Sequence, residues 1–477
     1  MSVDPLAGLL DESASLWDVV HSIERHVNRL LATHTYTGAT DHFFGYVRDL
    51  ARGTKALLSS NAREAREATE VHRVRLQAAT LRRFWLLLHE LIQPAGEAHS
   101  LTTPAALIEL AAEQLRQIPG LSESKVVVSL SPRLMYHQTT HTSLSLLGKQ
   151  LEVMVPTAKF PQQLGFVALP YSQGPSFFPN LLLYHELGHF VFEELSSNSH
   201  PTFEALETEL LNAVAKIIPT APPEQKQLAL TILRTWTHEI FCDLFAISLV
   251  GPCFSFAFVE LLGLLSALQP DVTIVFNQTH PASACRFRQH LEFLESASWW
   301  AQLSDLDAPA KHLLESLARQ TEDSYLIELN GNSGKDPVLI PAFLQIIPSI
   351  HALVKEITRP AAATTADFKV HRSLIENCLL NGVVPSVVNP ETNSTATPVA
   401  VINASFTFYL TSLDRLMASL GRDPRDIEAR SLWKHQVEMW TEKALEDIRL
   451  LDQRRRAESN GSSIQAEDSR PHEATDR

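Results

Sequence analysis

The first 120 residues carry apolar side chains at three- and four-residue steps. LWDVVHSIERHVNRLL (16–31) and VHRVRLQAATLRRFWLLLHELI (71–92) both have this spacing, which places the apolar residues on one face of a helix. The charged, alanine-rich run beside the second segment, NAREAREATEVHR, is typical of a solvent-facing helix surface. The pattern predicts a helical N-terminal region, residues 1–120, built as a helical hairpin or a small bundle.

Short apolar runs replace the helical pattern from residue 121. KVVVSL (125–130), LEVMVP (151–156) and LGFVALP (164–170) are β-branched or apolar and have turn residues at their ends, which predicts the strands of a small sheet. LGFVALP is interpreted either as an internal strand or as an edge strand along which an extended peptide pairs. The loop PYSQGPSFFP follows, and its Pro179 suits the first turn of the next helix.

Residues 301–453 return to a helical pattern. Two polar interruptions, LNGNSGKDP and VNPETNSTATP, predict loops, and SLWKHQVEMWTEKALEDIRLLDQRRR predicts a long amphipathic helix. Residues 454–477 contain few apolar side chains, which predicts a disordered tail. With residues 121–300 as a central domain, the pattern predicts an α+β fold that is predominantly α.

Composition and charge narrow the class of protein. The chain has 477 residues, of which 45% are hydrophobic and 20% charged, as in a soluble globular protein of two or three domains. The formal net charge of -14 argues against a nucleic-acid partner held by phosphate contacts. The N-terminus shows no signal-peptide pattern and the cysteines show no C-x-x-C spacing, which favours a reducing, cytoplasmic compartment.

The longest uncharged stretch is LFAISLVGPCFSFAFV, residues 244–259. It is shorter than the roughly 20 apolar residues that a membrane-spanning helix needs, and Gly251-Pro252 interrupts it. We therefore expect two buried core helices with a break between them, and no integral membrane insertion.

His185 and His189 lie one turn apart in the apolar helix predicted for LLLYHELGHFVFEEL (181–195). This spacing puts both imidazoles on one face, roughly 6 Å apart along the axis, where both can bind one zinc ion at about 2.0–2.1 Å. Glu186 then takes a proton from the zinc-bound water, as in H-E-x-x-H enzymes. Gly188, with a helix-propensity cost of about 1 kcal/mol, indicates close approach of neighbouring backbone. The alternative is a histidine pair on a partly exposed helix without an ion.

Catalytic zinc takes three protein ligands and keeps one position open. The extended zincin pattern takes its third ligand from a histidine at the position of Leu195, so this chain does not fit that pattern. Glu193 lies about 12 Å along the axis from His185, too far to share one ion. Glu239 and Asp243, one turn apart in the apolar segment WTHEIFCDLFAISLVGP, would repel each other unless a cation or hydrogen bonds resolve them.

This acidic pair predicts the rest of the site. Glu239 is the expected third zinc ligand, and Asp243 is the expected acceptor that orients His185. His238 is a rival third ligand, and a surface-facing acidic pair is the alternative without a metal.

HELGH followed by EIFCD resembles the gluzincin metallopeptidases, whose second zinc helix carries Glu-x-x-x-Asp. The segment QTHPASACRFRQHLEFL (278–294) is similar to the T-H-P-x-x-x-x-R pattern of CAAX prenyl protease-like and related heat-shock membrane proteases, with matches at Thr279, His280, Pro281 and Arg286. The resemblance covers about residues 160–295. It implies a zincin-like core with a small sheet, an active-site helix and a second helix that brings the glutamate. The chain lacks the clear membrane spans of those families.

The residues after the second zinc helix have their own predicted roles. His280 either donates a hydrogen bond to the oxyanion of the reaction, or belongs to a helix start with Pro281 in the first turn. Arg286 is expected to brace the site through a salt bridge, and Tyr184 is expected to be a core residue.

The combined pattern predicts a zinc-dependent endopeptidase or related amide hydrolase that acts on protein or peptide substrates. One alternative is a catalytically silent, metal-bound regulatory protein whose helical regions contact a protein partner. Another is a helical scaffold without metal. Glu186 favours the enzyme, because a purely structural zinc site is usually closed by four protein ligands.

Overall fold

The computed structural model is predominantly helical with a small sheet, which confirms the predicted α+β, predominantly α, class. The structure describes residues 5–33, 38–64, 68–100, 104–123, 125–131, 137–139, 148, 151–159, 164–170, 176–198, 200–266, 274–320, 324–329, 332–386 and 395–468.

The described helices follow one another in this order: α1 Pro5–Thr33, α2 Gly38–Glu64, α3 Ala68–Ser100, α4 Ala105–Gln117, α5 Leu183–Ser197, α6 Pro201–Ile217, α7 Pro223–Val250, α8 Pro252–Ser266, α9 Ser283–Ser296, α10 Trp299–Gln302, α11 Pro309–Ala318, α12 Leu339–Thr358, α13 Thr365–Leu380, α14 Pro398–Ser419 and α15 Ile427–Asp468. A 3-10 turn, Pro179–Leu182, leads into α5 with Pro179 at its first position, as the sequence predicts.

The main sheet lies between α4 and α5 in the chain. It contains β1 Lys125–Ser131, β2 His137–Thr139 and β3 Leu164–Pro170 in the order β1-β3-β2. β3 pairs in parallel with β1 and antiparallel with β2. LGFVALP is therefore the central strand, and its interpretation as an edge strand is wrong because β2, too short to be marked by its sequence, covers its second side.

Alternating side chains of this sheet enter two different cores. Val127 and Phe166, neighbours across β1 and β3, belong to the buried cluster formed with α1, α2 and α3. Val128 and Val167 point into the larger cluster on the other side, as the two-residue repeat of a strand requires. The sheet thus separates the N-terminal helices from the part of the molecule that carries α5.

The larger hydrophobic cluster crosses the boundaries predicted at residues 120 and 300. It begins at Ala98, includes α4, and continues to Ile448 in α15. The reason is that α7 contacts α5 on one side and α12 on another, so the apolar faces of the later helices are buried against the central ones. Residues 121–300 and 301–453 share one core in the described part of the chain.

The longest uncharged stretch forms the centre of that core. α7 ends at Val250, Gly251 adopts a φ of 76°, and α8 begins at Pro252, which confirms the predicted break between two buried helices. Within the described residues, one helix, α12, is long and apolar enough to cross a membrane by length and composition, and half of its most apolar window is buried inside the protein. A buried core helix passes the same test.

Three local predictions differ from the structure. Residues 151–154 of LEVMVP are helical and not a strand, since Leu151 packs against the N-terminal helices. The polar LNGNSGKDP segment contributes to a second small sheet of β4 Val275–Phe276, β5 Leu326–Leu329 and β6 Asn332–Gly334. The helix α15 continues to Asp468, so the tail predicted as disordered from residue 454 is helical up to that point. The loop predicted at VNPETNSTATP falls largely outside the described residues.

Candidate metal centre

Two helices, α5 and α7, cross at Gly188 and Cys242. A Cβ built on Gly188 would lie 2.7 Å from the Cα of Cys242 and 3.1 Å from its Sγ. Only glycine fits this crossing, because the obstacle is backbone that cannot rotate away. The close approach is what brings the polar side chains of the two helices within reach of one another.

We expect Gly188→Ala to weaken both the fold and the site. The new methyl group must push α5 away from α7, and overpacking of this kind costs about 1–3 kcal/mol, more than the roughly 1 kcal/mol gained in helix propensity. Chemical denaturation and zinc titration of the variant measure the two effects. Unchanged stability and unchanged zinc affinity would show that the crossing tolerates a wider spacing.

His185, His189 and Glu239 come together on one side of this crossing. Nε2 of His185 lies 3.5 Å from Oε2 of Glu239, and Nε2 of His189 lies 3.6 Å from Oε1. The two imidazole centroids are 4.8 Å apart. Each contact uses a different oxygen of Glu239, and both distances are close to the separation of about 3.4 Å that zinc bonds of about 2.0–2.1 Å at tetrahedral angles place between neighbouring ligand atoms.

The residues present fit a divalent metal. Glu239 Oε2 is buried and lacks a hydrogen-bond partner within the described part of the chain, although His185 and Arg286 face it from 3.5 and 3.4 Å. The side chains of His185 and His189 remain 13% and 18% exposed. A buried acceptor without a partner costs free energy that an ion would recover, and the residual exposure leaves a path for solvent to an open coordination position.

Asp243 is the fully buried acceptor at the centre of the surrounding network. Its Oδ1 lies 2.9 Å from Nδ1 of His185. Arg286 donates to both carboxylate oxygens at 2.7 Å from Nη2 and Nε, and Nε2 of His290 approaches Oδ2 to 3.1 Å. The contact with Nδ1 turns Nε2 of His185 toward Glu239, which is how a carboxylate orients a metal-binding imidazole.

The charges of the site follow from these contacts. Burial by itself lowers the pKa of His185, but the hydrogen bond with Asp243 and the negative charges of Asp243 and Glu239 outweigh it and raise this pKa to about 10. Burial raises the pKa of both carboxyl groups, yet Arg286 and His185 hold the pKa of Asp243 and of Glu239 below the ordinary values. Two carboxylates therefore stay ionised around the histidine pair, and a metal ion would displace the proton of His185.

Glu186 lies in the first turn of α5, directly after His185, and is 8% exposed. It shares this helix with both histidines, and its role as proton acceptor stays a prediction. Tyr184 is fully buried and donates a hydrogen bond to Gln114 at 2.7 Å, so it belongs to the core, as predicted.

His280 lies at the rim of the centre. Its Nε2 is 3.8 Å from Glu239 Oε1, and its side chain is 47% exposed. Asn277 fixes the loop by accepting hydrogen bonds from the backbone N–H groups of Thr279 and His280. The interpretation of His280 and Pro281 as a helix start is wrong, because α9 begins later, at Ser283.

Two residues at the centre, Cys242 and His290, were not assigned a role by the sequence, and a third, His238, has a different contact from the one expected. Cys242, with His185 and His189, forms a group whose ligand atoms lie within 4.8 Å of one another. His290 follows Arg286 by one turn and is fully buried beside Asp243; the R-x-x-x-H spacing was the signal that could have found it. His238, considered only as a rival ligand, contacts His189 instead, with 3.1 Å between Nε2 and Nδ1.

Comparisons with known protein families, characterised proteins and solved structures return no match to this chain. The resemblance to gluzincins consequently rests on the sequence motifs alone.

Proposed function

We propose that this chain is a zinc-dependent metallohydrolase that cleaves peptide bonds. One observation carries the proposal: the two oxygens of Glu239 lie 3.5 and 3.6 Å from Nε2 of His185 and His189. These three groups would hold zinc as a His, His, Glu ligand set, which leaves a fourth position for water. A zincin-like organisation of α5, α7 and the sheet beside them is part of the proposal.

Glu186 and His280 have separate roles in the proposed reaction. Zinc, when bound, supplies a Lewis acid that lowers the pKa of water to about 7. Glu186 takes the proton of the attacking water and returns it to the leaving amine. His280, exposed at the rim and within 3.8 Å of Glu239, lies close enough to donate a hydrogen bond to the carbonyl oxygen as negative charge develops there.

A peptide substrate would bind by its backbone at β2. This strand lies at the edge of the main sheet and contacts α5. The outer edge of such a strand would offer its N–H and C=O groups to an extended peptide, which adds to the sheet as a further strand. In this proposal β2 pairs with the substrate, which is the role that the sequence allowed for LGFVALP as an edge strand.

The proposal is tested by mapping cleavage in a mixture of peptides. The purified chain, loaded with zinc, is incubated with a proteome-derived peptide library, and new termini are counted by mass spectrometry. We expect new termini that disappear when a chelator is added and return with zinc. An absence of zinc-dependent termini, in a preparation that holds one zinc per chain, would contradict peptidase activity.

A second function is favoured by Cys242. The thiol lies within 4.8 Å of the two imidazoles and with Glu239 would supply four ligands, and a zinc site closed by four protein ligands is structural. In that case the chain is a catalytically silent, metal-bound protein that acts through a partner at its helical regions. We prefer the enzyme because Cys242 is fully buried at the helix crossing, against Gly188, whereas the histidines retain exposure on the solvent side.

Replacement of Cys242 by serine separates the two functions. Burial raises the pKa of the Cys242 thiol well above its ordinary value, and in the open site this thiol is not a ligand. We expect Cys242→Ser to retain zinc affinity and turnover, and cobalt-substituted wild type to lack a thiolate charge-transfer band. A strong band in the wild type that disappears in the variant, together with loss of affinity, would establish the closed site.

A further inference from the structure

We infer that His238 is a positioning residue that orients His189 toward the metal by accepting a hydrogen bond from its Nδ1–H group. The inference rests on the proposed zinc site and adds to it the partner of the second histidine.

The contact joins the two helices of the centre. Nδ1 of His189 on α5 and Nε2 of His238 on α7 are 3.1 Å apart, and the ring centroids are 4.5 Å apart with an interplanar angle of 78°. With Nδ1 engaged in this way, the remaining nitrogen of His189, Nε2, is the one 3.6 Å from Glu239. Both imidazoles of the pair are therefore held through Nδ1, His185 by Asp243 and His189 by His238.

The donor and acceptor roles follow from imidazole chemistry. A neutral imidazole that binds a metal through Nε2 carries its proton on Nδ1, so His189 can only donate in this contact. His238 must then present a lone pair at Nε2. A neutral imidazole with its proton on Nδ1 has that lone pair.

The ring of His238 is held in this orientation by an aromatic contact. It stacks on Phe192 with centroids 4.2 Å apart and an interplanar angle of 27°. Phe192 itself packs edge-on against Phe203 and Phe241. An imidazole fixed on one face by stacking has little freedom to turn its Nε2 away from His189.

A neutral acceptor also suits the charge of the site. Asp243 and Glu239 already place two carboxylates around the histidine pair. A third carboxylate, the commoner partner of a metal-binding histidine, would add like-charge repulsion in a buried setting. Histidine supplies the lone pair without that charge. Because its Nε2 contacts His189, His238 is not a zinc ligand, although the sequence alone left it as a rival of Glu239 for that role.

Two variants of His238 test the inference. His238→Phe keeps an aromatic ring against Phe192 but removes the acceptor, whereas His238→Gln restores an acceptor oxygen. Zinc affinity is measured by competition with a chelator, the visible spectrum is recorded after cobalt substitution, and melting is followed in the metal-free state. We expect His238→Phe to bind zinc about 10–100-fold more weakly, as for other partners of metal ligands, with an altered cobalt spectrum.

The rescue distinguishes orientation from packing. We expect His238→Gln to recover most of the zinc affinity, and both variants to melt like the wild type when metal-free. Wild-type affinity in His238→Phe, or equal losses in both variants, overturns the inference. With either variant result, a wild type that binds zinc and cleaves peptides keeps the proposed function, and only the inference fails. A wild type that binds no zinc contradicts the proposed function as well.

Discussion

Glu186→Gln is expected to abolish peptide hydrolysis while the protein keeps its zinc. Glutamine has the shape of glutamate but cannot take a proton from water, and general-base catalysis contributes about 10²–10⁴-fold to a rate. The change leaves the ligand set of His185, His189 and Glu239 in place. We therefore expect kcat to fall by two to four orders of magnitude, about 10²–10⁴, with no loss of zinc affinity.

The measurement pairs turnover with bound metal. Elemental analysis gives zinc per chain, and the peptides found in the library screen give kcat. Glu193→Gln is the matched control, because Glu193 lies on the same helix but two turns from His185, and it should behave like the wild type. Full turnover in Glu186→Gln would remove Glu186 from the mechanism, and loss of zinc would make it a ligand.

Asp243→Ala is expected to damage both folding and metal binding. The substitution leaves the guanidinium of Arg286, 7% exposed, without the carboxylate that it contacts twice at 2.7 Å. Breaking one side of a buried ion pair costs about 3–5 kcal/mol. The variant also frees Nδ1 of His185, and loss of such an orienting partner weakens metal binding about 10–100-fold.

A double-mutant cycle separates these two effects. Arg286→Met removes the buried charge, so the combined variant Asp243→Ala with Arg286→Met should unfold with a smaller loss of stability than the sum of the single losses. Its zinc affinity should stay low, because His185 still lacks an acceptor. Additive losses of stability in urea denaturation would contradict the coupling between Asp243 and Arg286.

The sequence predicted those features of the metal centre that depend on spacing within one helix. His185 and His189, and likewise Glu239 and Asp243, are each one helical turn apart, and that spacing alone puts each pair on one helix face. Which face meets which depends on the crossing of α5 and α7. Gly188 predicted a close approach. That Cys242 is the residue it meets depends on how the two helices pack and cannot be read from either segment alone.

Non-local contacts explain the errors in the fold. The three residues of β2 carry no recognisable strand pattern, yet they convert β3 from an edge strand into a central one. LEVMVP has the apolar composition of a strand, but its first four residues form a helical turn against the N-terminal helices. The sequence named His238 only as a rival third ligand, because its contact with His189 depends on the placement of both helices.

Zinc-edge X-ray absorption of the purified, zinc-loaded wild type tests the central claim most directly. The account predicts one zinc per chain with a first shell of nitrogen and oxygen atoms only, at about 2.0–2.1 Å, from His185, His189, Glu239 and water. A sulfur neighbour at about 2.3 Å would place Cys242 in the first shell and contradict the open catalytic site, and a protein that holds no zinc would contradict the metal centre altogether.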